Sequence, residues 1–178
     1  MFFLLLIGCE TLLPPGEDAD RIYDPKVEIA RDVETVYSSD GQAKVKVTAP
    51  LLTTHFDPTE PYTEFGEGLI VSFYDQNRKE RSRLTAKYAI RYEKSAKVFI
   101  RDSVRIVTEK DELIESDELI WNEKSQEITS DKRIKVTTED RQISGIGFVA
   151  NQDFSVWEIG EVTGWVKVDD KDKEEEEN

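Results

Sequence analysis

The sequence has one cysteine, Cys9, and one histidine, His55, among its 178 residues. One cysteine cannot form an intrachain disulfide, and a lone histidine lacks the paired His and Cys ligands of a typical transition-metal site. A serine–histidine–aspartate triad would have to include His55, and no serine lies in a nucleophile-elbow motif. The sequence therefore predicts a protein that is not an enzyme and has no catalytic residue, metal or cofactor. His55 is interpreted as a loop or sheet-edge residue.

Basic residues are scarce: 24 Lys and Arg oppose 38 Asp and Glu, and the formal net charge is −14. Nucleic-acid binding needs Lys and Arg to displace counterions from phosphates, and adsorption to anionic lipid needs the same charges. The composition therefore excludes nucleic acid as a partner, and any membrane contact must come from apolar burial or a covalent lipid. The segment 169–178 has no apolar residue and is predicted to be a disordered acidic tail.

The N-terminal apolar run, MFFLLLIG, is only eight residues long and cannot span a bilayer. It leads into Leu6-Ile7-Gly8-Cys9, a match to the lipobox of lipoprotein signal peptidase, so residues 1–9 are predicted to be a signal segment with Cys9 lipidated. The alternative is an unmodified cysteine in a truncated hydrophobic segment. Signal peptides usually open with Lys or Arg, and a start codon upstream of Met1 would explain their absence here. Residues 10–25, rich in proline and acids, are predicted to be a linker.

No part of the chain shows sustained helical spacing of apolar residues, so long helices are not expected. Turn residues instead recur every 8 to 10 residues, for example at Glu93-Lys94-Ser95 and Asn122-Glu123-Lys124. The segments between them alternate apolar and polar residues, as half-buried strands do. This pattern predicts an all-β sandwich or roll over residues 26–168.

The segments LTAKYAIRYEKS from Leu84 and IESDELIWNEKS from Ile114 resemble each other at an offset of 30 residues. Apolar residues further along keep the same offset: Val98, Val104 and Ile106, then Ile128, Ile134 and Val136. A fixed period of this size marks a repeated supersecondary unit, here strand, turn and strand. In both copies the alternation slips, near Lys87 and near Asp117, which predicts a β-bulge that bends the strand.

These segments resemble the LptC family of the lipopolysaccharide export machinery, in the lipoprotein form of Bacteroidetes-like bacteria. The matching pieces are, in order, Pro61 to Phe65, Gly68-Leu69, Phe73-Tyr74-Asp75, Leu84-Thr85-Ala86 with Tyr88-Ala89, Leu119 to Lys124, Ile128 to Asp131, and Ile143 to Phe148. Their order and spacing over about residues 61–160 carry the resemblance. The LptA-type protein and the periplasmic part of the outer-membrane translocon share the same repeated β unit.

The resemblance implies an open, twisted antiparallel β-jelly roll with two facing sheets. Its apolar groove would take lipopolysaccharide from the inner-membrane ABC transporter and pass it to the next jelly roll, docked edge to edge. The implied partners are LptF- and LptG-type transporter subunits and an LptA-like jelly roll. The implied location is the periplasmic face of the inner membrane, anchored through Cys9, with the outer membrane as an alternative. Other interpretations are an LptA-like bridge component, or a generic periplasmic lipoprotein that binds protein or glycan.

An acidic protein gains little from lipid phosphates, so the implied binding must rest on acyl chains, each buried CH₂ contributing roughly 0.8 kcal/mol. The predicted lipid-contacting residues are Val45, Val47, Leu84, Ala86, Val98, Ile100, Val104, Ile106, Leu119, Trp121, Ile128, Ile134, Val136 and Phe148. The segments Ala43–Ala49 and Phe154–Val168 are the predicted docking edges, since edge strands can pair with a partner.

Overall fold

The structure is a computed structural model that describes residues 26–39 and 41–166. Its strands are β1 (Val27–Ser39), β2 (Gln42–His55), β3 (Tyr62–Phe65), β4 (Leu69–Tyr74), β5 (Glu80–Ala86), β6 (Tyr88–Tyr92), β7 (Lys97–Thr108), β8 (Leu113–Asn122), β9 (Glu127–Thr137), β10 (Arg141–Asn151), β11 (Trp157–Ile159) and β12 (Thr163–Val166). Within these ranges no helix is long and apolar enough to cross a membrane. The predicted all-β fold is confirmed. The predicted signal segment with Cys9, the linker and the acidic tail lie outside the described residues.

The strands form one antiparallel sheet that folds over on itself. Its order is β11-β10-β9-β8-β7-β5-β4-β2-β3-β6, with β1 on β2 and β12 on β10. The first half of β7 pairs with β6 and the second half with β5, while β2 pairs with β4 and then with β3. Each long strand therefore runs through both halves of the folded sheet, which gives the predicted β-jelly roll.

We call the two halves half-sheet A and half-sheet B. Half-sheet A contains β4, β5, β12 and residues 42–49, 104–108, 113–116, 134–137 and 141–146. Half-sheet B contains β3, β6, β11 and the remaining parts of β2, β7, β8, β9 and β10. The terminal strand β1 runs beside β2 along both halves.

Irregular residues bend the strands where they pass from one half-sheet to the other. Backbone φ is positive at Asp32 (50°), Asp102 (63°), Ser103 (57°) and Glu161 (43°), and at Gly68 (89°) and Gly147 (83°). Pro50, which has no N–H to donate, lies opposite Asp32 between the paired stretches of β1 and β2. Left-handed backbone interrupts an extended strand, so these positions together form a bend line across the sheet.

Both predicted bends lie on this line. Near Asp117 the pairing of β8 with β9 shifts register between Ser116 and Ile120, which confirms the predicted bulge. The carbonyl of Glu118 accepts hydroxyl hydrogen bonds from Ser116 (3.0 Å) and Ser130 (2.7 Å), so the bulge leaves no unpaired acceptor there. Near Lys87 the irregularity is larger than predicted, because β5 ends at Ala86 and β6 begins at Tyr88 with a different neighbour.

One docking-edge prediction was wrong. The segment Ala43–Ala49 belongs to β2, which has β1 on one side and β4 on the other. The apolar residues of β1 do not alternate regularly with polar ones, since Ile29 and Ala30 are adjacent and so are Val36 and Tyr37, and its place outside β2 is therefore hard to recognise. Among residues 26–39 and 41–166, the outermost strand at this end of the sheet is therefore β1. At the opposite end the outermost strands are β11 and β12, as predicted for Phe154–Val168 within the described residues.

Candidate functional site

The space between the inner faces of the half-sheets, which we call the slot, contains the residues predicted to contact lipid. Half-sheet A supplies Val45, Val47, Leu84, Ala86, Val104, Ile106, Ile134 and Val136. Half-sheet B supplies Val98, Ile100, Leu119, Trp121, Ile128 and Phe148. All except the partly buried Trp121 are at most 9% exposed. The sequence therefore identified residues that lie together, and the structure shows them closely packed.

Other apolar residues of the slot were not among those predicted. They are Ala49, Phe65, Leu69, Val71, Phe73, Ala89, Ile114, Ala150 and Phe154. Those of β4 alternate with outward-facing residues, so the spacing of Leu69, Val71 and Phe73 was a usable signal. Phe154 has no such signal, because it lies in a polar turn.

The strand ends on the side opposite the bend line border an opening, which we call the mouth. A cleft of about 570 Å³ lies there between the turn at Asp75 to Asn77 of half-sheet A and Gln126, Gln152 and Asp153 of half-sheet B. A smaller cleft of about 180 Å³ shares Gln126 and Gln152 and reaches Trp121. The indole Nε1 of Trp121 is buried and has no hydrogen-bond partner among the described residues.

Charges at the mouth are largely compensated. Asp75 Oδ1 accepts hydrogen bonds from the backbone N–H groups of Lys79 (2.9 Å) and Asn77 (2.8 Å), which lower the pKa of this carboxyl. Arg81 pairs with Glu109 at 2.5 Å. The mouth therefore has no concentrated positive charge that would select a phosphate.

The segment Gln152–Trp157, which we call the strap, crosses the mouth from half-sheet B. Phe154 has a positive φ of 57° and is 1% exposed, and its ring centroid lies 6.0 Å from that of Phe73 in half-sheet A. Trp157 Nε1 donates a 3.4 Å hydrogen bond to Glu112 Oε2 in the turn between β7 and β8. Thr108 Oγ1 donates to the same oxygen of the buried Glu112 (3.2 Å). Side chains of the strap thus connect the two half-sheets.

Both outer faces carry ion pairs, Arg101–Glu118 among them on half-sheet B, and half-sheet B adds a row of aromatic rings. Half-sheet A carries ion pairs such as Lys46–Glu34 (2.7 Å) and Lys135–Glu115 (3.1 Å). Half-sheet B carries a row of rings, in which neighbouring centroids are 4.3, 5.9 and 5.8 Å apart: His55, Tyr62, Tyr92 and Phe99. The interpretation of His55 as a loop or sheet-edge residue was wrong, because this last residue of β2 pairs with both β1 and β3.

No group of three or more His, Cys, Asp or Glu side chains within residues 26–39 and 41–166 is arranged to hold a metal. A protein-family model described as "Lipopolysaccharide-assembly, LptC-related" matches residues 18–164. That match includes the slot, the mouth and the strap. A comparison with curated proteins gives no match.

Proposed function

Because the chain belongs to the LptC family of lipopolysaccharide-assembly proteins, we propose that it carries lipopolysaccharide with the acyl chains held in the slot. In this proposal the lipid comes from LptF- and LptG-type subunits of the inner-membrane transporter and passes to an LptA-like jelly roll. Family membership supports a transport component of the lipopolysaccharide export system rather than an enzyme.

The observation that carries the proposal is the apolar lining of the slot. At roughly 0.8 kcal/mol per buried CH₂, a chain of a dozen carbons gains on the order of 10 kcal/mol on leaving water. Residues such as Ile106, Leu119 and Ile134, each 0% exposed, provide the apolar surface. In this arrangement the acyl chains lie in the slot and the polar part of the lipid stays outside. The compensated charges at the mouth are consistent with it, because binding then needs no charged contact with the lipid.

The two ends of the sheet support docking of other jelly rolls. The thirteen-residue β1 pairs with β2 on one side, and its other edge has no strand partner among the described residues. Such an edge can be extended by a strand of a second protein. We propose that β1 accepts one partner and that β11 with β12 accepts the next, which would align successive slots.

The anchor is a separate part of the proposal. Lipidation of Cys9, followed by the linker at residues 10–25, would hold the jelly roll at the periplasmic face of the inner membrane. A single acyl chain anchors weakly, whereas two or three anchor stably. Mass spectrometry of the mature N-terminus tests this point, since an unmodified Cys9 would contradict it.

Photo-crosslinking in cells tests lipid binding. A photo-reactive amino acid at Leu119, which faces the slot, should capture lipopolysaccharide. The matched control is the adjacent Ile120 on the outer face of half-sheet B, which should not capture it. Equal capture at both positions, or none at Leu119 in a folded protein, would contradict the proposal.

The ring row on half-sheet B favours a second candidate function, binding of a protein or glycan by a generic periplasmic lipoprotein. The four rings are partly exposed, and aromatic rings with one accessible side are common in interaction surfaces. The same experiment separates the two, because a photo-reactive residue at Phe99 would then capture a protein or glycan while Leu119 captures no lipid.

A further inference from the structure

We infer that Phe154 is a displaceable plug: its ring occupies a place in the slot that an acyl chain takes, and the strap lifts to admit the lipid. This inference rests on the proposed function and adds the device that controls entry. The slot is closely packed, since almost all of its predicted lining residues are at most 9% exposed. Because the protein's own side chains fill the slot so completely, some of them must move before the slot can accept a lipid.

The mouth is the boundary at which such movement is easiest. Along the bend line the polypeptide itself joins the half-sheets, and within each half-sheet neighbouring strands are hydrogen-bonded. Across the mouth the half-sheets are joined by side-chain contacts: the ring of Phe73 meets those of Phe154 and Trp121, both at 6.0 Å between centroids. Trp157 also donates to Glu112. Opening there requires no loss of backbone pairing between β-strands.

The strap is attached to half-sheet B. Its hydrogen bonds run mostly to Asn151, the last residue of β10: Asn151 O accepts from the Phe154 N–H (3.0 Å), Asn151 Oδ1 accepts from the Val156 N–H (3.1 Å), and Asn151 Nδ2 donates to Ser155 Oγ (2.7 Å). These bonds can persist when the strap leaves the turn between β7 and β8. The left-handed conformation of Phe154 is unfavourable for a bulky residue, and opening can relieve it.

A plug also sets the apparent affinity. When only a fraction of the protein is open, the apparent dissociation constant for the lipid rises by the inverse of that fraction. Removing the ring should therefore strengthen binding although it removes apolar surface from the interior. A residue that only packs in the core would give the opposite result, since its loss destabilises the binding site.

The test uses the purified full chain and a dansyl-labelled long-chain fatty acid, with binding followed by stopped-flow fluorescence. Phe154→Ala should raise the apparent affinity and the association rate by at least about tenfold, as expected if the open state is a minor one. Trp157→Phe keeps the ring and loses the N–H donated to Glu112, so it should raise the association rate by a smaller factor. Phe56→Ala, which removes a half-exposed ring outside the slot, is the matched control and should match the wild type.

Unchanged binding by a folded Phe154→Ala, or an equal rise in Phe56→Ala, would overturn the plug while leaving lipid binding in place. If Phe154→Ala does not fold, the Trp157→Phe variant decides: faster association supports the plug and unchanged association overturns it. If wild type and all variants fail to bind the fatty acid and purified lipopolysaccharide, the proposed function fails and the plug with it.

Discussion

A methyl group at Gly145 should weaken the attachment of the last strands, β11 and β12. A Cβ built there overlaps the backbone carbonyl oxygen of Gly160 and the Ile159 side chain. The carbonyl cannot rotate away as a flexible side chain can, and it accepts the 3.2 Å hydrogen bond from the Ile146 N–H. Gly145 does not have a left-handed φ, so the predicted effect of Gly145→Ala is steric.

The magnitude follows from the cost of overpacking, about 1–3 kcal/mol for an added methyl group in a well-packed site. The last strands are held through three residue pairs between β10 and β11 and four between β10 and β12. In a stack where each strand contacts its neighbours, the damage should remain at that end of the sheet. We therefore expect partial detachment of residues 157–166 and little change at β1.

Two measurements check this prediction. Chemical denaturation should show a loss of about 1–3 kcal/mol in the free energy of unfolding. Hydrogen exchange should be faster in β11 and β12 and unchanged in β4. Gly66→Ala is the control, because a Cβ there meets nothing within 4 Å. If Gly145→Ala and Gly66→Ala are equally stable and exchange alike, the close packing described for Gly145 is wrong.

Three further predictions concern stability. Leu119→Ala, in the fully buried part of the slot, should lower the free energy of unfolding by about 2–5 kcal/mol in denaturant titrations, and a loss under about 1 kcal/mol would contradict its packing. Burial, then hydrogen bonding to Glu64, raises the pKa of Tyr88 from 10.0 to about 12, so stability should hold up to pH 10 and fall between pH 10 and 12. Tyr88→Phe should abolish that fall and remove one late step from the alkaline ultraviolet titration, and an unchanged titration would refute the assignment. Arg91 donates to both carboxylate oxygens of Glu123 at 2.9 Å, so Arg91→Ala should cost about 1–3 kcal/mol; a double-mutant cycle with Glu123→Ala that gives strictly additive losses would contradict the pairing.

The strands and the inner face of the sheet could be predicted from sequence because both depend on local alternation. Val104, Ile106, Ile134 and Val136 follow this pattern, and all four are buried. The bend near Asp117 was predictable for the same reason, since a bulge shifts the parity of the residues after it.

Features that depend on contacts distant in sequence could not be predicted in this way. Pairing of β1 with β2 depends on where the chain returns, and the irregular alternation of β1 hides it. Phe154 is an aromatic residue, for which a place in the core is the default interpretation, but the polar residues around it do not indicate what it packs against. Its burial depends on contact with Phe73 in β4, on the other half-sheet, and no local sequence pattern predicts that contact.

The bend line has a consequence for how this fold can change length. The residues that turn each strand lie in that strand's own sequence, for example Asp102 with Ser103 in β7 and Gly147 in β10. Insertion or deletion of a whole 30-residue unit would therefore leave the bend line intact. Since neighbouring strands are about 4.8 Å apart, one such unit would lengthen or shorten the interior by roughly 10 Å. Interior length is then a property that duplication could adjust in discrete steps while the cross-section stays the same.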